Sequence, residues 1–229
     1  MSEEQTIRNV LMTKESRIPT LGAYTLTLLL LVTTVGDFVG DLRTTAEFTS
    51  NTPEWNITFE IQNQSLQTVE TLQDDETRNV LFELSEIDVP EGYTIGSIDV
   101  TITSEEDGGV SVQCDSIAGD IIENDLMAQW NDPASNLSGQ DSSCVPIELH
   151  LRVYPNFDGK STLTSAVNAF QALEPWTETG WGVGVLSVDL ELDVNTPLGF
   201  ADPIGLDTDE EITVDVTVTM FKASLSLVE

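Results

Sequence analysis

From residue 54 onward the chain alternates apolar and polar positions with a period of two. In EWNITFEIQ the side chains of Trp55, Ile57, Phe59 and Ile61 alternate with Glu54, Asn56, Thr58 and Glu60. Such alternation in β-branched and aromatic residues marks a half-buried strand. VPIELHLRV repeats it through Val145, Ile147, Leu149, Leu151 and Val153, and VLSVDLELDV through Leu186, Val188, Leu190, Leu192 and Val194. The last segment alternates through Ile212, Val214, Val216, Val218 and Met220, then changes phase to Phe221, Ala223, Leu225 and Leu227. A one-residue slip exchanges the two faces of a strand. The change therefore predicts a β-bulge near Met220, or a strand passing between two sheets.

Further strands are expected at 78–85, 93–103 and 109–114. Turn clusters separate them at Asp74-Asp75, Pro90-Glu91-Gly92, Asp107-Gly108-Gly109 and Asp158-Gly159. Residues 117–130 and 162–173 carry short apolar periodicities, Ala166, Phe170 and Leu173 among them, that read as single helical turns. Many short strands without β–α alternation predict an all-β, antiparallel β-sandwich over residues 45–229. One domain is expected, with two packed modules as the alternative.

Ahead of this region the period changes. Residues 18–36 read IPTLGAYTLTLLLLVTTVG without a charge, and as a helix they span about 28 Å, close to a bilayer's hydrocarbon thickness. The run reads as one N-terminal transmembrane α-helix, with residues 1–17 as a cytoplasmic tail and 37–44 as a linker. Arg8, Lys14 and Arg17 precede it, whereas Asp37 and Asp41 follow it ahead of Arg43. The positive-inside rule then makes this a single-pass signal-anchor at the cell membrane, N-terminus cytoplasmic and C-terminal domain extracellular. The rival is a signal peptide cleaved after Gly36.

Charge sets the chain apart from an ordinary domain. The 229 residues hold 40 Asp and Glu against 8 Lys and Arg, a net charge of −32. That field excludes nucleic acid as a partner, because nucleic-acid binding needs cationic groups to displace counterions. It fits a halophilic surface, where high salt screens self-repulsion, and the presence of only three lysines (Lys14, Lys160 and Lys222) agrees. Acidic clusters also suit Ca²⁺, a hard cation that takes oxygen ligands. The candidate positions are Asp207 and Asp209 in the turn before the last strand, with Asn156-Phe157-Asp158-Gly159 a second acidic turn. No other cofactor is suggested.

Cys114 and Cys144 are the only cysteines, and an exported domain favours a disulfide between them. Closing a loop of about 30 residues stabilises a fold by roughly 3–4 kcal/mol in the chain-entropy view. Three N-x-[ST] sequons, at Asn56, Asn63 and Asn136, are glycosylation candidates. Neither feature carries catalysis.

Catalytic chemistry is hard to place. The single histidine, His150, falls on the polar phase of its strand between Glu148 and Arg152, so a general base beside a nucleophile is not indicated. Gly180-Trp181-Gly182-Val183-Gly184 has G-x-G-x-G spacing but lacks the strand–turn–helix setting of a phosphate loop. Trp176 and Trp181 flank a TETG loop, a setting for sugar stacking or partner contact as well as for plugging the end of a core. Carboxylate pairs for glycoside hydrolysis exist in any chain this acidic, without specificity.

An N-terminal apolar helix followed by a β domain is also the layout of archaeal type IV pilins, which the chain resembles in that layout over about 40 residues. The resemblance implies a filament subunit with a leader boundary at Arg17-Ile18. Pro19 and the lack of a small residue at that boundary depart from the pattern. The expected function is therefore non-enzymatic: a structural or protein-interaction role at the cell envelope, through self-association or contact with other envelope proteins. A pilin-like subunit and an extracellular carbohydrate-binding or hydrolytic protein are the alternatives.

Overall fold

A computed structural model of the chain describes residues 17–49, 52–105, 114–194 and 209–228. The chain divides into two compact units, residues 1–52 and 53–229. The expected strand 109–114 lies outside the described residues apart from Cys114, as does Asp207.

The first unit holds one helix, α1, over Arg17–Thr49, which continues through residues 37–44 that the sequence suggested as a linker. Pro19 falls in its first turn, where a missing N–H costs least. The hydroxyls of Thr25, Thr27, Thr33 and Thr34 donate to carbonyls of the preceding turn at 2.8–2.9 Å, so they add no unsatisfied donor to the helix surface.

The transmembrane reading does not hold. Among the described residues no helix is long and apolar enough to cross a membrane. Residues 21–36, the apolar stretch whose side chains are described, cover about 24 Å at 1.5 Å per residue, short of the ~30 Å hydrocarbon core, and their threonines dilute the apolar surface. The signal-anchor, the membrane partner and the split into a cytoplasmic tail and an extracellular, cell-surface domain all rested on that helix and are withdrawn with it.

The second unit is built from β1 (Glu54–Gln73), β2 (Thr77–Glu83), β3 (Thr94–Glu105), β4 (Ser116–Ile121), β5 (Ser138–Asp141), β6 (Ile147–Arg152), β7 (Thr162–Ser165), a short helix α2 (Ala169–Leu173), β8 (Val185–Asp193) and β9 (Asp209–Leu227). One sheet has the order β6-β3-β9-β1-β7 and the other β2-β8-β4-β5, with every pairing antiparallel. With β7 set aside as an added edge strand, the pairs nest: β1 with β9, β2 with β8, β3 with β6, β4 with β5. That is the winding of a jelly roll, an antiparallel sandwich whose first and last strands are neighbours.

Period-two alternation builds the core. Ile212, Val214, Val216, Val218 and Met220 of β9 and Leu186, Val188, Leu190 and Leu192 of β8 are all fully buried and belong to one apolar cluster spanning both sheets. Each such side chain contributes about 1.5–3 kcal/mol when fully removed from water.

The phase change after Met220 has a different cause from the one expected. The β1–β9 register is unbroken from Trp55↔Leu227 to Gln73↔Asp209, so β9 is regular and stays in one sheet. The burying layer changes instead. Up to Met220 one face meets the second sheet, and from Phe221 onward the opposite face is covered by the segment that follows β6. The bulge itself lies across the ladder in β3, where the register shifts between Ile95 and Ser97 opposite Met220 and Thr219. Gly96 sits at that shift. Its carbonyl accepts both the Val153 and Tyr154 N–H groups, and a Cβ there would lie 2.4 Å from the Phe157 ring.

Two segments differ from their expected helical turns. Residues 116–121 form β4 because they pair on both sides, with β5 and β8, burying Ile117 and Ile121 in alternation. In the second segment a helical turn forms only after β7, where the Asn168 side chain caps α2 by accepting the Gln171 N–H at 3.0 Å.

Cys114 and Cys144 form a disulfide with Cα atoms 5.4 Å apart, tying the entry of β4 to the β5–β6 turn. Asp141 closes that turn, its Oδ2 accepting the N–H groups of Ser143 at 2.7 Å and Val145 at 2.8 Å. Replacing both cysteines by serine should lower unfolding free energy by about 3 kcal/mol, read as a shift of the denaturant midpoint.

A second expectation concerns acid. The Val145 and then the Ser143 N–H hold the Asp141 carboxyl below its ordinary pKa, and the Gln73 N–H followed by Arg78 does the same for Glu76. A carboxyl whose folded pKa is depressed stabilises the fold above its unfolded pKa. That contribution disappears as pH falls through the folded value. Urea midpoints should therefore fall as pH drops below about 4, and less steeply in Asp141→Asn.

Candidate functional site

The outer face of the five-stranded sheet carries an aromatic cluster with no counterpart in an alternating core. Phe59 from β1 and Phe221 from β9 project from the ladder, and Tyr154, Phe157 and Trp176 close over them. Phe157 stacks on Phe221 with centroids 4.4 Å apart, and Tyr154 meets it edge-on at 5.0 Å. Trp176 meets Phe59 at 4.7 Å. Such pairs are worth about 0.5–1.5 kcal/mol each beyond the area they bury. Tyr154 Oη donates to the Pro175 carbonyl at 3.0 Å and accepts the Glu178 N–H at 3.1 Å, which ties the covering segment together. Burial of the phenol raises its pKa, so the bond it donates to Pro175 survives across neutral pH and is lost only as alkaline pH passes the folded value.

Beyond Trp176 the chain makes an exposed loop, 177–184, before entering β8. Two cavities of about 370 and 380 Å³ lie against it and share the walls Tyr93, Thr94, Glu178 and Thr179. The first is completed by Trp181 and by aliphatic side chains that include Ile87, Val89 and Ile95. The second is completed by Trp176, Phe221 and Lys222. Loop geometry is fixed by glycine: Gly182 has φ +76°, and a Cβ there would lie 2.7 Å from Ile95. The G-x-G-x-G run thus shapes a cavity wall and leads into a strand, with no helix to receive a phosphate.

Polar groups in the first cavity are held in pairs. Trp181 Nε1–H donates to Glu178 Oε2 at 3.2 Å. The Tyr93 phenol accepts from Gln62 Nε2 at 3.0 Å; burial, followed by the Glu60 carboxylate, raises its pKa. Glu178 is the one carboxylate on the walls of these two cavities among the described residues. Glycoside hydrolysis by a carboxylate pair needs two, which these walls do not supply.

The sequence-derived candidates fall elsewhere. His150 pairs across the β3–β6 ladder with Asp99, Nδ1 to Oδ1 2.7 Å, on the solvent side and with no nucleophile in that pair. Its neighbour Arg152 makes a largely buried ion pair with Asp132 at 3.0 Å. Asn56 is half-buried in β1 and Asn63 is exposed farther along it, while Asn136 Nδ2 donates to the Glu148 carbonyl at 3.0 Å. Asp209 is exposed at the start of β9, opposite Gln73. One residue on, Asp74, Asp75 and Asp193 bring carboxylate oxygens within 4.8 Å of one another. All three are exposed, and Asp74 already accepts the Val194 N–H at 2.9 Å. An exposed acidic turn of this kind is common without an ion, and no cation is assigned to it.

Sequence reasoning named Trp176 and Trp181 but missed their partners Tyr93, Tyr154 and Phe157. The phase change at Phe221 was the available signal, since a strand that begins burying its other face needs a second layer to bury it.

No family model and no curated protein matches the sequence. Among solved structures the fold is similar to the BFDV capsid protein in its 60-mer form, at TM-score 0.39 and 10% identity over 72% of this chain and 93% of that one. It is similar to Mud crab tombus-like virus at 0.35 and 13%, over 75% and 83% of the two chains. It is also similar to Desmodium yellow mottle tymovirus at 0.34 and 9%, over 75% and 91%. At these values the likenesses carry no statement about what this chain binds or builds.

Proposed function

We propose that the protein is a non-enzymatic structural subunit that associates with copies of itself through α1. One observation carries the reading. Leu21, Tyr24, Leu26, Leu28, Leu29, Leu30, Leu31, Val32 and Val35 are all between 51% and 74% exposed on a helix whose residues 18–36 carry no charge. A helix apolar all round is stable only when something apolar surrounds it, and no helix among the described residues is long and apolar enough to cross a membrane.

Self-association satisfies that requirement. Leu21, Tyr24, Leu28, Leu31 and Val35 follow the alternating three- and four-residue spacing of a coiled-coil seam, and the sequence continues it at Phe38 and Leu42. The remaining leucines widen the apolar surface, which favours a bundle of several helices over a pair. The threonine hydroxyls, bonded within the helix, offer no competing polar partner. A net charge of −32 per copy opposes assembly, so association should strengthen as salt screens it.

Sedimentation of the full chain should give a discrete oligomer at molar salt, shifting toward monomer as salt is lowered. The double substitution Leu28→Glu and Leu31→Glu should give monomer throughout, with the β unit's unfolding unchanged. A full chain that stays monomeric in molar salt would refute the proposal.

A further inference from the structure

We infer that the cavity between Tyr93 and Trp181 binds a methylated organic cation, a quaternary ammonium group. The inference does not depend on α1. It rests on how the two rings are held.

An aromatic ring attracts a cation over its face because its quadrupole is negative there, and a methylated ammonium loses little hydration on entering such a site. Tyr93 and Trp181 line the same cavity of about 370 Å³, within the size range of small-molecule sites. Both rings are held by hydrogen bonds: the Trp181 indole N–H donates to the Glu178 carboxylate, and the Tyr93 phenol accepts from Gln62. A carboxylate acceptor polarises its donor, pushing electron density into the ring and deepening the attraction. Two aromatic rings on one cavity, one of them bonded to a carboxylate, are the arrangement a cation would select.

The other walls choose among cations. Ile87, Val89 and Ile95 present aliphatic surface, which suits methyl groups and disfavours a strongly hydrated ammonium or metal ion. Glu178 sets a formal negative charge at the rim, and the chain's −32 draws cations toward it. Lys222 lines the neighbouring cavity and not this one, so the positive ligand belongs on the Trp181 side. A sugar would leave most of its hydroxyls facing aliphatic carbon.

The test uses the full chain at constant ionic strength, titrated calorimetrically with choline and with its uncharged isostere 3,3-dimethylbutan-1-ol. Choline should saturate one site, and the isostere should bind at least about tenfold more weakly. Glu178→Gln should weaken choline several-fold while leaving the isostere unchanged. Trp181→Leu keeps apolar bulk and should abolish the preference for choline; if it fails to fold, Tyr93→Leu serves the same purpose. Equal binding of the two probes, no saturable choline binding, or saturation by maltotriose in place of choline would each overturn the assignment.

Discussion

The constraint on which the rest of the β unit depends is the β1–β9 ladder. Residues 55–73 pair in unbroken antiparallel register with residues 227–209, joining the first and last strands across almost the full length of the unit. Everything else nests inside that closure, since β2 meets β8, β3 meets β6 and β4 meets β5 in turn. Contacts of such sequence separation are entropically costly to close, so they must be supported by packing on both faces of the ribbon. They are. Half of the ribbon is buried against the second sheet, and the other half carries the aromatic cluster on its opposite face.

That division explains what sequence could and could not show. Strand existence and the inward set of β6, β8 and β9 up to Met220 were legible because each of these stretches buries a single face. β1 was legible only at its start: Ile57 and Phe59 face the aromatic layer, whereas Leu66 and Leu72 face the main core, so no single alternation runs through it. The change at Phe221 was visible but ambiguous. A slip of phase looks the same whether a strand bulges, switches sheets or changes the layer that covers it. Only the segment 154–176 decides among these, and its aromatic residues have no period because they lie on turns and short helices.

The helix shows the opposite error, where composition alone suggested too much. A charge-free run beside basic residues satisfies a membrane rule, yet five threonines (Thr20, Thr25, Thr27, Thr33 and Thr34) lie within it. The structure also continues the helix through Asp37, Asp41 and Arg43 to Thr49. A span that ends at a bilayer surface and a helix that runs on beyond it are indistinguishable within the first twenty residues. The disulfide was easier to anticipate, because two cysteines admit one pairing, although its place beside the Asp141-capped turn follows only from the strands around it.

Acidity links the cleft to the surface. The carboxylates are mostly solvated, on the polar phases of strands and in turns such as Asp74-Asp75, and there they repel one another and weaken the fold at low salt. Glu178 differs from that majority in having a ring donor as its partner. A hydrogen bond to a neutral donor does not cancel a carboxylate's formal charge, so the pair concentrates negative potential at the Trp181 ring. Salt screens the exposed field to a range of a few ångströms at molar concentration, which still covers a contact between Glu178 and a cation held against Trp181. A cation bound against Trp181 would therefore keep its contact with Glu178 at salt concentrations that silence the longer-range field of the surface.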